Sequence, residues 1–98
     1  MKVKELLNTE KESLQIIDIR EPYEVEDGCI CDLNIPMNDV IRRVNELDKN
    51  KKIIMYCNTG KRSRSMVYIL KTQFNIVNID ELEGGFQAWQ EINANIMS

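Results

Sequence analysis

Residues 53–63 read Ile-Ile-Met-Tyr-Cys-Asn-Thr-Gly-Lys-Arg-Ser. A short apolar run stops at Cys57, a polar turn with Gly60 follows, and an amphipathic helical pattern begins within a few residues. That order places one thiol at the carboxyl end of a buried strand, facing the start of a helix. The first turn of a helix has backbone N–H groups without intrahelical partners and carries partial positive charge. Successive N–H groups in a turn add an anion-binding nest. A sulfur held there ionises more readily than a free cysteine, whose pKa of about 8.5 leaves only a few per cent thiolate at neutral pH. The thiolate is the nucleophilic form, so the expected chemistry is covalent catalysis at Cys57.

No histidine occurs in the 98 residues. A Cys-His or Ser-His-Asp mechanism is therefore excluded, and the commonest metal ligand is missing. Any chemistry at Cys57 relies on backbone dipoles and cationic side chains. The other cysteines are Cys29 and Cys31. An odd, small number argues against a disulfide framework. Cys29 and Cys31 are ordinary loop thiols in the simplest reading. One of them pairing with Cys57 as a resolving thiol is the functional alternative. A metal site ranks third, because Cys-x-Cys lacks the usual two-residue gap.

Residues 1–48 hold 6 Lys and Arg against 12 Asp and Glu, a balance of −6, whereas residues 49–98 hold 7 against 4, a balance of +3. The basic half contains Cys57, closely followed by Lys61, Arg62 and Arg64. Such a cluster is either a solvated helix start or a positive mouth for a small anion. With a net charge of −3 and 6% aromatic residues, nucleic acid is a poor candidate partner. No apolar run approaches a membrane span, and the first residues lack the apolar stretch of a secretion signal, so a cytoplasmic protein is expected.

The elements that must position Cys57 follow from periodicity. One domain over residues 1–98 is expected from the length. Residues 3–7 suit a short strand or a helical turn. Gln15–Ile19 reads as a buried strand, Pro22 opens a short helix, and residues 29–36 form a loop or short strand. Met37, Val40, Ile41, Val44 and Leu47 follow helical spacing. Ile53–Tyr56 is the strand before Cys57, and a helix is expected from about Ser63 to Phe74. Ile76–Ile79 reads as another strand, and a last helical turn or two starts at Phe86. Strands alternating with helices predict an α/β fold, a small parallel sheet flanked by helices on both faces, with its site beyond the carboxyl ends of the strands. Arg20 and Cys57 both sit at such ends.

Three segments, in order, resemble the rhodanese family of sulfurtransferases. Ile17-Asp18-Ile19-Arg20-Glu21-Pro22-Tyr23-Glu24 is similar to its Asp-x-Arg strand end and following Glu-Pro-x-Glu. Tyr56-Cys57-Asn58-Thr59-Gly60-Lys61-Arg62-Ser63 resembles its active-site loop. Leu82-Glu83-Gly84-Gly85-Phe86-Gln87-Ala88-Trp89 is like its Gly-Gly-x-x-Ala-Trp close. Between the first two, the family's Gly-His-Ile-Pro-Gly-Ala segment is replaced by Gly28-Cys29-Ile30-Cys31-Asp32-Leu33, with Asn34-Ile35-Pro36 after it. Four residues separate Cys57 from Arg62, the sulfur-type spacing in this family, whereas its related phosphatases typically have five.

The resemblance implies a rhodanese-like fold and a two-step sulfur transfer through a Cys57 persulfide. The donor is a small sulfur anion such as thiosulfate or a protein persulfide, and the acceptor is a thiol or partner protein. No cofactor or metal is required. N–H groups from Asn58, Thr59, Gly60, Lys61, Arg62 and Ser63 are expected to hold the anion. Gly60 permits a positive φ. Arg62 braces the loop or neutralises substrate charge, and Lys61 or Arg64 draws the anion in. Ser63 is expected to bond backbone at the helix start. Asp18 and Arg20 form a structural ion pair that shapes the site, Glu21 and Glu24 fix a loop or face solvent, and Trp89 anchors packing. The alternatives are a non-catalytic binding or sulfur-carrier module, and a phosphatase or arsenate reductase using the same thiolate.

Overall fold

A strand that is apolar on both faces needs cover on both sides. In the computed structural model, which describes residues 1–97, the strand before Cys57 is β2 (Lys52–Tyr56), central in a three-stranded sheet. β1 (Leu14–Asp18) and β3 (Ile79–Glu81) flank it, both parallel to it. Asp18 pairs with Tyr56, and Ile53 with Ile79, which fixes the two registers. The helices are α1 (Val3–Leu7), α2 (Pro22–Val25), α3 (Lys61–Gln73) and α4 (Gly85–Met97). The chain therefore has the expected α/β architecture. Among the described residues, no helix is long and apolar enough to cross a membrane.

Alternation along β2 builds two cores. Ile53, Met55 and Cys57 join Met66, Val67 and Leu70 of α3, with Val40 and Leu47. Ile54 and Tyr56 pack instead with Val3 and Leu6 of α1, Leu82 and Phe86. Ile53 through Cys57 are all fully buried. Each large side chain so buried is worth about 1.5–3 kcal/mol, which makes β2 a rigid support for the residue at its end. Trp89 packs on the second core, stacked on Phe86 with ring centroids 5.6 Å apart.

The structure departs from the sequence expectations at several boundaries. Residues 37–47 form no α-helix; two 3-10 turns, Met37–Asp39 and Val44–Glu46, replace it. Val40 and Leu47 still reach the core, while Ile41 is exposed. The stretch is rich in β-branched and Asn/Asp residues, which favour helices weakly, so tertiary contacts choose the tighter turns. The expected strand at Ile76–Ile79 begins only at Ile79. After α3, Asn75 takes a left-handed φ of 55°, and the Ile76 N–H bonds the Leu70 carbonyl. Ile76 thus packs at a helix end, as apolar residues just past a helix commonly do, and Val77 points to solvent. α3 starts two residues earlier than expected, at Lys61, and α4 runs 13 residues rather than a turn or two. β1 spans Leu14–Asp18, one residue earlier than read. Residues 3–7 are helical, and the 29–36 loop carries one parallel bridge, Asn34 to Asp18.

Candidate active site

β2 delivers Cys57 to the foot of α3, and α4 shapes the turn between them. The Phe86 N–H donates to the Cys57 carbonyl at 2.9 Å, and the Gln87 N–H donates to the Asn58 carbonyl at 3.0 Å. With those carbonyls tied to the first turn of α4, the following N–H groups turn inward. Gly60 adopts φ 103°, a conformation that costs glycine nothing and other residues more. Its N–H points at Cys57 Sγ at 3.1 Å, and the Ser63 N–H does so at 3.5 Å.

The Ser63 hydroxyl lies 3.6 Å from the same sulfur and donates to the Gly60 carbonyl at 3.2 Å. The sequence reading expected the Ser63 hydroxyl to bond backbone, which it does; the structure also sets its oxygen beside the sulfur, where it accepts from the Cys57 thiol. Burial pushes the Cys57 thiol up, but the Ser63 hydroxyl and the N–H groups of Ser63, Gly60 and Thr59 outweigh it. The net direction is downward, toward thiolate. Ionisation of a buried sulfur is thus favoured without imidazole.

The three cations after Cys57 are not equivalent. Arg62 is bound bidentately by Glu24 of α2, at 2.9 and 2.8 Å. Arg64 pairs with Glu81 at 3.1 Å. Lys61 is exposed and has no ion-pair partner among the described residues. Arg62 therefore ties the loop to α2, and of the three only Lys61 is left without an ion-pair partner among the described residues. The Arg62 guanidinium holds Glu24 well down, to about 2. Glu24 also accepts the Glu21 N–H at 2.8 Å, so one carboxylate joins the start of α2 to the loop. The position of Glu24, three residues after Glu21 and two after a helix-opening proline, signalled a capping role. Its partner, 38 residues on, had no signal in the sequence.

Asp18 and Arg20 form the expected pair, and both are buried. Arg20 holds Asp18 through two nitrogens, at 2.7 to 3.1 Å, and also donates to the Gly28 carbonyl at 2.7 Å. Its guanidinium lies over the Phe86 ring, 4.4 Å from the centroid. The pair thus ties β1, the loop after α2 and the start of α4 together behind the thiol. Phe86 was missed in the sequence reading, where it counted only as the start of a helix.

Cys31 and Cys57 lie on opposite faces of the sheet. Cys31 packs with the core that holds Tyr56, its sulfur 3.9 Å from the Tyr56 hydroxyl, whereas Cys57 belongs to the other core. Burial pushes the Cys31 thiol up to about 11. An un-ionised thiol across the sheet does not suit a resolving role. Cys29 is exposed.

With this geometry in view, the comparisons with known proteins are direct. The model of the rhodanese-like domain family matches residues 2–92. The chain is 38% identical over 81 residues to the YtwF protein of Bacillus subtilis, covering 81% of this chain and 76% of that one. It is 30% identical over 88 residues to the thiosulfate sulfurtransferase GlpE of Shewanella oneidensis, covering 88% and 85% respectively. A solved rhodanese-related protein from Thermoplasma volcanium superposes with a TM-score of 0.84 at 30% identity, over 94% of this chain and 90% of that one.

Proposed function

The chain belongs to the rhodanese-like sulfurtransferase family, and on that premise we propose that it moves a sulfane sulfur from a small anionic donor, thiosulfate or a persulfide, to a thiophilic acceptor through Cys57. The observation that carries this reading is the closed cradle on Sγ. Two N–H groups and one hydroxyl converge on a single buried atom. A cradle closed on one atom suits one sulfur, where a phosphoryl group needs donors spread over three oxygens. That supports sulfur transfer over phosphatase chemistry.

In the first step the Cys57 thiolate attacks the outer sulfur of thiosulfate. A sulfur–sulfur bond forms at Sγ, the outer sulfur's bond to the sulfite group breaks, and sulfite leaves with the electron pair. In the second step a nucleophile such as cyanide takes the outer sulfur, and the pair in the Sγ bond returns to Cys57. The same N–H groups serve twice, because Sγ carries negative charge before the first step and after the second. Lys61 draws the donor in, Arg62 holds the loop through Glu24, and Asp18 with Arg20 fixes the floor. The one domain works without cofactor or metal, and its unpaired cysteines fit a cytoplasmic setting.

Incubation with thiosulfate is expected to add one sulfur to the protein mass, and cyanide is expected to release it as thiocyanate. Cys57→Ala is expected to lower that release by more than about 10³-fold, as loss of a nucleophile does. Undiminished turnover in the variant, or a sulfur found on Cys29 or Cys31 instead, would contradict the proposal.

A further inference from the structure

Glu81 ends β3 and pairs across the ladder with Met55, so its side chain lies on the face of the sheet that α3 covers. Its carboxylate reaches the first turn of α3. Oε1 accepts from the Arg64 Nε–H at 3.1 Å, whereas Oε2 is buried and makes no hydrogen bond among the described residues. A Cβ placed on Gly60 would lie 3.9 Å from Oε2, and the Gly60 nitrogen stands 3.1 Å from Sγ. Covalent geometry then sets Oε2 within about 10 Å of the sulfur. A buried acceptor left without a donor costs stability. This one sits under the loop that serves Cys57.

The other charges around the two groups are matched, exposed or on the far face. Arg62 is held by Glu24, Lys61 and Glu83 are exposed, and the first turn of α4 carries no charge. In the turns that cover the same core, Asp39 pairs with Arg42 and Glu46 with Arg43. Asp18 and Arg20 pair with each other on the Tyr56 face. Asp80 alternates to that face as well and binds the terminal ammonium. The first turn of α3 thus presents one positive end to two acidic groups, Cys57 and Glu81. A negative charge nearby disfavours the thiolate. Cys57 is fully buried and the Glu81 side chain is 16% exposed, so salt screens the interaction weakly.

We propose that Glu81 sets how readily Cys57 ionises: its carboxylate opposes the loop's N–H groups, and Arg64 offsets part of that opposition. Arg64 is placed to do so. Its backbone N–H bonds the Gly60 carbonyl at 3.0 Å while its side chain holds Glu81. Glu81 acts through the field at Sγ rather than by contact. It tempers the downward pull of the loop without reversing it. A thiolate of very low pKa is abundant but a weak nucleophile, and the best attacking thiol has a pKa near the working pH. The carboxylate therefore trades thiolate population for reactivity.

Thiolate absorbance against pH, with Cys57→Ala in each background as the blank, reads the effect and needs no sulfur donor. Glu81→Gln keeps the shape and removes the charge. Its midpoint is expected to fall by about half a pH unit, the scale of one charge acting over that distance in a partly shielded site. Arg64→Gln changes an exposed side chain and is expected to raise the midpoint. Glu83→Gln removes an exposed charge two residues along and is expected to leave it unchanged. A purely structural brace gives a different pattern: a loosened loop loses its donors to Sγ, so the midpoint rises in Glu81→Gln as well. A midpoint that rises or stays put in Glu81→Gln, that fails to rise in Arg64→Gln, or that falls equally in Glu83→Gln would overturn the proposal. A wild type that ionises as described but forms no thiocyanate would end the sulfur-transfer reading and leave this one standing.

Discussion

Replacing Asp18 with alanine is expected to cost about 3–5 kcal/mol of folding stability, because it strands a buried guanidinium. Arg20 is 2% exposed, and Asp18 is its only carboxylate partner among the described residues. Domains of this size are held by about 5–15 kcal/mol, so the change removes a large share of the total. With a urea m-value of about 1–3 kcal/mol per molar, the midpoint is expected to fall by more than about 1 M. The double change Asp18→Ala with Arg20→Ala is expected to cost less than the sum of the two singles, since it leaves no unpaired charge. Additive costs in the urea series would show that the pair is not the floor of the site.

The second large effect is expected at Gly85, where stability and chemistry fall together. Gly85 has φ 60°, and a Cβ placed there would lie 2.4 Å from the Cys57 carbonyl oxygen and 2.8 Å from the Asn58 carbonyl. These are backbone atoms, which cannot rotate away. They are also the carbonyls that the start of α4 holds outward so that the N–H groups face Sγ. Gly85→Ala therefore strains α4 by about 1–3 kcal/mol and pushes the loop out of register with the sulfur. A shift of about 1 Å at such a site costs on the order of 10²-fold in rate. Thiocyanate formation at a temperature where circular dichroism shows the variant folded is the measurement. A folded variant with wild-type turnover would mean that α4 does not shape the loop.

The geometry of the Cys57 loop was legible in the sequence because everything in it is local. The buried strand, the turn at Gly60 and the helix start lie within a dozen residues, and the sulfur's donors come from Gly60 and Ser63. Asp18 and Arg20 were legible for the same reason, two residues apart at a strand end. Contacts across the chain were not. Nothing in the order of residues links Glu24 to Arg62, Arg20 to the Gly28 carbonyl, or Phe86 to the Cys57 carbonyl. Helical spacing misled at residues 37–47, since apolar periodicity does not separate an α-helix from a pair of 3-10 turns that bury the same Val40 and Leu47. It misled again at Ile76, where a β-branched residue buried at a helix end reads like the start of a strand.

The central claim is that N–H groups of the loop and the Ser63 hydroxyl hold Cys57 ionised without imidazole. It is tested most directly by the ultraviolet absorbance of the thiolate as a function of pH, taken as the difference between the wild type and Cys57→Ala. The titration isolates Cys57 from Cys29 and Cys31. The account predicts a midpoint below that of an unperturbed cysteine, so that the thiolate gains with rising pH earlier than a free thiol does, and an upward shift in Ser63→Ala. A wild-type midpoint at or above the ordinary cysteine value would contradict it.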